Sequence, residues 1–252
     1  MTDTSATPKR AVLTIDDAPS RDWAAKLEML ERLGVRAVFF CTGSALGRRP
    51  EFAAAALEAG HVLGNHGWNH PAFSELPLEE CEREIDATHR LLERLHAEAG
   101  RAFAPRYFRF PYGDKGALTG SDTEAEPTPE GAVRRASVQT MLRDRGYTQP
   151  AFPRITYRWF RERGLLDDMD WYWTYDTMDW SLTADEPQYG IRTEDDLFRR
   201  IDEDVPEGGR GLAFPHSDEI VLIHDHVENS GLFGRVVRRI QEKGIEFRLP
   251  DA

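Results

Sequence analysis

Val12-Leu13-Thr14-Ile15-Asp16-Asp17-Ala18-Pro19 is a short apolar run that ends on two adjacent acids and a proline. β-Branched Val, Thr and Ile suit a strand, and Asp and Pro suit the turn that stops it. Taken alone, the two acids need no function, because strand-ending turns favour Asp. The same arrangement then recurs along the chain. His61–Gly64 runs into His66-Gly67-Trp68-Asn69-His70-Pro71, and Tyr107–Arg109 lies inside Arg106-Tyr107-Phe108-Arg109-Phe110-Pro111-Tyr112-Gly113. Trp171–Tyr175 leads to Asp176-Thr177-Met178-Asp179-Trp180, and Ile220–Ile223 leads to His224-Asp225. With Ala37–Cys41 and Ile245–Leu249, these runs make about seven candidate strands.

Helical patterns lie between them. Trp23–Leu33 has apolar residues at Trp23, Leu27, Leu30 and Leu33, and Glu51–Ala59 is alanine-rich with Gly60 as its stop. Leu78–Ala99 puts Cys81, Ile85, Thr88, Leu92 and Leu95 on one stripe, and Phe233–Lys243 closes before Gly244. Strands alternating with helices predict an α/β protein, here a distorted (β/α) barrel with about seven parallel strands. In such a barrel the carboxyl ends of the strands share one face, where active sites lie. Five polar clusters therefore converge on that face. A length of 252 residues suits a single catalytic domain over 1–252. The stretch Asp114–Pro129, rich in Gly, Thr, Ser, Glu and Pro, opens a long insertion at about 114–165. Within it, Gly131–Leu165 reads as two helical pieces broken near Gln149–Pro153, and Thr183–Arg192 is a further polar connection. Irregular stretches this long are functional or disordered.

Composition excludes several classes. A net charge of −12 argues against nucleic acid as a partner, since phosphate binding needs a cationic surface. No apolar run approaches the roughly 18 residues of a membrane span. Met1–Lys9 is polar and lacks the apolar stretch of a signal peptide, so a cytoplasmic location is expected, or secretion if a leader has been removed. Cys41 and Cys81 are too few for a disulfide framework and read as buried thiols.

Two clusters together point to a metal. His66 and His70 stand four residues apart, and Gly67 and Pro71 make the intervening segment a loop rather than a helix. Two imidazoles and one carboxylate form a common hydrolytic metal site with positions left open for water. The strand end at Asp16-Asp17 offers that carboxylate, and its neighbour is then available as a base.

The five clusters, in this order, resemble the polysaccharide deacetylase family, carbohydrate esterase family 4: an Asp-Asp turn, His-x-x-x-His, Arg-x-Pro, Asp-x-x-Asp-Trp and Leu-x-His. Ala37–Gly43, Glu58–Pro71, Glu84–Gly113 and Val221–Phe247 resemble it as continuous stretches. The resemblance implies that Asp17, His66 and His70 ligate one divalent metal ion, zinc first, with cobalt, nickel and manganese as alternatives. It implies Asp16 as the base toward the attacking water and Arg109 as the cation that holds Asp16. It gives His224 the role of the acid toward the leaving group, with Asp179 as its partner. The Tyr112 backbone N–H would meet the oxyanion, and Trp180 and Leu222 would wall the acetyl pocket. Three positions depart from the family pattern: Ala18 where Gly is usual, Gly67 where Ser or Thr is usual, and Phe110 in place of a frequent proline. None removes a catalytic group, although Gly67 lacks a hydroxyl that braces the loop.

The remaining candidates read as structural. His89 and His96 lie on the long helical pattern, Asp167, Asp168 and Asp170 form an acidic turn, and Asp202-Glu203-Asp204 is a solvated helix end. His216 and His226 are left open, and for His226, two residues after His224, substrate contact is the minority reading beside a structural one. The aromatic run Trp171, Tyr172, Trp173 and Tyr175 reads as strand packing first, with a sugar-stacking platform as the minority option. The expected reaction is metal-assisted removal of acetyl groups, N-acetyl groups of an amino sugar first and acetyl esters as a variant. Its partner is an acetylated carbohydrate or small amide. Two rivals are hydrolysis of a small amide, cyclic imide or ureide, and an inactive carbohydrate-binding relative. The first is separated by which substrate opens, the second by whether acetate is released.

Overall fold

β1 (Arg10–Ala18) is the axis of the sheet, and every residue from Ala11 to Asp16 is buried. A strand covered on both faces is apolar for most of its length, which explains the run Ala11–Ile15, interrupted only by Thr14. The computed structural model describes residues 8–119, 125–203 and 211–250. Along the chain follow α1 (Trp23–Arg32), β2 (Ala37–Cys41), α2 (Gly43–Arg48), α3 (Glu51–Glu58), β3 (Val62–Asn65) and α4 (Leu78–Glu98). Then come α5 (Pro129–Asp144), α6 (Arg158–Glu162), β4 (Tyr175–Asp176), α7 (Glu194–Asp202), β5 (Glu219–His224), α8 (Ser230–Glu242) and β6 (Glu246–Phe247). The expected polar start, the 114–129 stretch and the 202–204 helix end lie partly outside the described residues, at 1–7, 120–124 and 204.

All strand pairs are parallel, in the order β3-β2-β1-β5-β4, with β6 against the start of β1. Alternate side chains serve two cores. Leu13, Ile15, Phe39 and Ile223 pack with residues of the surrounding helices such as Leu30, Phe52, Ile85 and Val236. Val12, Val38, Phe40, Trp171 and Ile220 fill the other side, toward the barrel interior.

Six strands occur among the described residues, against about seven expected. The difference lies at Tyr107–Arg109. This segment makes only a single bridge to β3, through Asn65 N–H to Tyr107 O (2.8 Å) and Arg109 N–H to Asn65 O (3.0 Å). Pro105 and Pro111 flank it, and proline cannot donate to a ladder. On the far side Trp171 N–H donates to Phe108 O (2.8 Å), and Thr174 N–H donates to Ile220 O (3.0 Å). The two bonds from β3 and the one from Trp171 to the Tyr107–Arg109 segment span the gap between β3 and β4 that the regular sheet leaves open, giving the barrel its distortion.

Candidate active site at the carboxyl ends of the strands

The end of β1 is irregular. Its register against β2 shifts between Ile15 and Ala18, and Asp17 takes φ 65°. Adjacent side chains of a regular strand point to opposite faces. The break turns both acids toward one site. Asp16 follows Val12 and Thr14 on the interior side and is buried. It meets Arg109, which is itself fully buried, at 2.9 Å from Nη1 to Oδ1. The same Nη1 donates to Thr14 Oγ1 (2.7 Å), Nε donates to the Trp171 carbonyl (3.2 Å), and the guanidinium carbon lies 4.4 Å from the Phe40 ring centroid. A buried cation fixed on several sides holds its carboxylate partner in one place.

His66 follows β3. Its Nδ1 lies 2.8 Å from the Arg109 carbonyl, which leaves Nε2 to face the acids, 3.6 Å from Asp16 Oδ2 and 3.7 Å from Asp17 Oδ1. Burial pushes the His66 pKa down to about 4, so the ring is neutral at pH 7 and its Nε2 lone pair is free. His70 Nε2 is 3.0 Å from Asp17 Oδ1, and the two imidazole centroids are 4.9 Å apart. Among the described residues, ligand atoms of Asp17, His66 and His70 all lie within 4.8 Å of one another. Asp17 Oδ1 is buried yet accepts no hydrogen bond among the described residues. An unsatisfied carboxylate oxygen facing two imidazoles is what a cation site needs, so the residues fit a divalent metal.

The loop between the histidines is braced without the usual hydroxyl. Glu84 of α4 accepts from the N–H groups of Trp68 and Asn69, both at 2.7 Å, and from Asn69 Nδ2 (3.1 Å). Thr88 donates to the Gly67 carbonyl (2.8 Å), and Asn65 Oδ1 accepts from Gly67 N–H (2.9 Å). Asn65 in turn donates to the Tyr147 hydroxyl (2.7 Å). Tyr147 comes from the expected insertion, so that segment supports the site from behind.

Opposite, His224 ends β5 beside Asp16, its register partner across the sheet. Its Nδ1 is 3.0 Å from Asp179 Oδ1, and Asp179 Oδ2 accepts its backbone N–H (3.1 Å). Thr177 also donates to Asp179 Oδ1 (3.0 Å). Burial acts to lower the His224 pKa, but the charge and hydrogen bond of Asp179 prevail and raise it to about 10. Trp180 donates through its indole N–H to Asp176 Oδ2 (3.2 Å), and Leu222 is buried on β5. Tyr112 sits in a tight turn at 111–113 with φ 58°, its exposed ring 4.6 Å from that of His70. Gly113, at φ 67°, allows Tyr172 and Trp173 to stack against the turn, since a Cβ there would come within 2.9 Å of both rings. Asp17, at the irregular end of β1, and His70, Tyr112 and Met178, after β3, the Tyr107–Arg109 segment and β4, are all non-glycine residues at positive φ.

The structure thus brings together the expected residues Asp16, Asp17, His66, His70, Arg109, Tyr112, Asp179 and His224. It also adds His226, whose Nε2 lies 3.0 Å from Asp17 Oδ2. Burial raises the Asp17 pKa, but the hydrogen bond from His226 and the neighbouring histidines bring it well below the usual carboxylate range. The other candidates fall elsewhere. His89 contacts the Tyr147 hydroxyl (3.0 Å), His96 the Leu92 carbonyl (2.8 Å), and His216 packs on Phe214. Asp168 and Asp170 pair with Lys115, and Asp168 with Arg135, so protein cations already fill that acidic turn.

Comparison with known proteins follows the same residues. A family model described as Polysaccharide deacetylase matches residues 3–126, a stretch that holds Asp16, Asp17, His66, His70, Arg109 and Tyr112 and stops before Asp179 and His224. The chain is 35% identical over 103 residues to a peptidoglycan-N-acetylglucosamine deacetylase of Bacillus cereus, covering 40% of this chain and 36% of that protein. It is 33% identical over 102 residues to a chitooligosaccharide deacetylase of Azorhizobium caulinodans, covering 40% of this chain and 47% of that one. The match therefore spans less than half of either relative. A family 4 carbohydrate esterase from Streptomyces lividans superposes with a TM-score of 0.61 at 21% identity, over 96% of this chain and 92% of that one. A family 4 pseudoenzyme from Bacillus anthracis gives the same TM-score and identity over 96% of this chain and 64% of its own. At that identity the two structures speak for the fold, which is shared.

Proposed function

We infer a function for a chain whose residues 3–126 belong to the polysaccharide deacetylase family: it is a metal-dependent hydrolase that removes acetyl groups, first of all N-acetyl groups of an amino-sugar substrate. The observation that carries this reading is Asp17 Oδ1, buried and without a hydrogen bond among the described residues, facing His66 and His70 with an Arg109–Asp16 pair and an Asp179–His224 pair close by. Asp17, His66 and His70 would hold one divalent ion, zinc first. When bound, such an ion acidifies water and polarises the acetyl carbonyl. Asp16, held by Arg109, takes the proton of the attacking water. The Tyr112 backbone N–H donates to the oxyanion that forms on the acetyl carbon. His224, kept as imidazolium by Asp179, passes its proton to the departing nitrogen as the C–N bond breaks. Trp180 and Leu222 border the acetyl methyl. We assign this chemistry to one domain over 1–252, with the insertion at about 114–165 bracing the histidine loop through Tyr147.

The test is acetate release from N-acetylglucosamine oligomers with zinc, with cobalt and with a chelator. Acetate above the chelated control supports the reading. An enzyme that opens a cyclic imide but releases no acetate would move it to the small-amide rival, and no turnover on any substrate would make it an inactive relative.

A further inference from the structure

We propose that His226 is a positioning residue for Asp17, occupying one carboxylate oxygen so that Asp17 offers a single oxygen, Oδ1, to a cation; the inference rests on the metal reading above. His226 Nε2 lies 3.0 Å from Asp17 Oδ2, while Oδ1 of the same carboxylate remains free toward His66 and His70. A carboxylate with both oxygens free can rotate and chelate through either or both. With Oδ2 engaged by an imidazole N–H, it presents one oxygen in one orientation. Partners of this kind, one step removed from a metal, orient its ligands and tune its affinity.

His226 is itself held by a buried ion pair. The buried Lys26 of α1 donates to the His226 carbonyl (2.9 Å) and pairs closely with the buried Asp225. Asp225 Oδ2 accepts the Ser20 N–H (2.7 Å), and the Asp225 N–H donates to the Asp16 carbonyl (2.9 Å). Lys26 and Asp225 thus staple the end of β1, which carries Asp17, and the loop that follows it to the loop after β5, which carries His226. Burying an ammonium costs several kcal/mol unless it is well paired. Here the pairing fixes the distance between those two loops. The His226 ring also packs 5.2 Å from the His224 ring, which limits its rotation.

The experiment measures zinc affinity of the metal-free full chain by competition with a chromophoric chelator, for the parent, His226→Ala and His226→Gln. Gln can place an N–H near the position of Nε2. His226→Ala is expected to bind zinc about 10–100-fold more weakly, the usual loss for such partners, with His226→Gln restoring most of it. The thermal midpoint of the metal-free His226→Gln protein should stay near the parent's, so that zinc affinity is compared between proteins that are equally folded. The cobalt absorption spectrum should also change in His226→Ala and return in His226→Gln. Parental zinc affinity in His226→Ala, or Gln no better than Ala, overturns the inference. A parent that binds no zinc removes the metal reading as well, which separates the two failures.

Discussion

Asp179 binds His224 twice, once through the imidazole Nδ1 at 3.0 Å and once through the backbone N–H at 3.1 Å. One carboxylate therefore sets both the position and the charge of the imidazole. The raised His224 pKa, about 10, has a stability consequence with a definite sign. A raised histidine pKa adds stability that is complete below its ordinary value, roughly 6.5, and is lost as pH rises through the folded value. The metal-free protein should lose thermal stability between pH of about 7 and about 10. Asp179→Asn should flatten that slope. Melting curves across this window check it, and parallel slopes would exclude the pairing as its source.

The same histidine separates substrates by leaving group. His224→Ala should lose rate on amides more than on activated aryl esters, whose leaving groups need no proton. Paired kcat/KM measurements on an N-acetyl sugar and an aryl acetate decide it. Equal losses on both remove the acid role.

Asp16 and Asp17 should separate when each is changed to asparagine. Asp16→Asn keeps the shape and the Arg109 contact but cannot take a proton. It should retain zinc and lose about 10²–10⁴ in turnover, the usual contribution of a positioned base. Asp17→Asn should lose zinc, as should His70→Ala. Metal content by elemental analysis, beside turnover, distinguishes the roles. A metal-free Asp16→Asn with a loaded Asp17→Asn would exchange them.

Glu84→Gln probes the brace behind His70. Gln can keep one acceptor oxygen but loses the charge that receives the Trp68 and Asn69 N–H groups. Hydrogen bonds to a charged acceptor are the stronger ones. Zinc affinity should fall about tenfold, within the range for residues that support a ligand. Titration of the metal-free variant measures this, and unchanged affinity would show that the loop holds its form without the carboxylate.

Where a feature could be read in the sequence, a local signal carried it. β1 and β2 are buried on both faces, so their apolar runs stood out; β2 falls at the expected Ala37–Cys41, whereas β1 extends past the expected Val12–Ile15 at both ends, to Arg10 and Ala18. The acids and histidines stood out because polar residues interrupted those runs at their ends. Tyr107–Arg109 read as a further strand, but flanking prolines hold it to a single bridge with β3. Tyr172 and Trp173 stack on each other beside Gly113, and β4, at Tyr175–Asp176, keeps only Tyr175 of the expected run Trp171–Tyr175. Glu84 carries no mark of its own among Glu79, Glu80 and Glu82 in the first turns of an acidic helix. Lys26 reads as an exposed lysine until its partner, 199 residues away, is known. Its role depends on a contact between distant loops, and no local pattern reports such contacts.

The left-handed backbone at Asp17, His70, Tyr112 and Met178 sets this face against selection for robustness. Each such residue costs of order 1–3 kcal/mol relative to a relaxed conformation, and glycine would relieve much of that. A library screened only for heat tolerance should therefore drift toward glycine at these positions. At three of them it would discard a carboxylate, an imidazole and an aromatic ring from the cleft. Met178, which brings none of these groups, is the position where the exchange could be made without emptying the site.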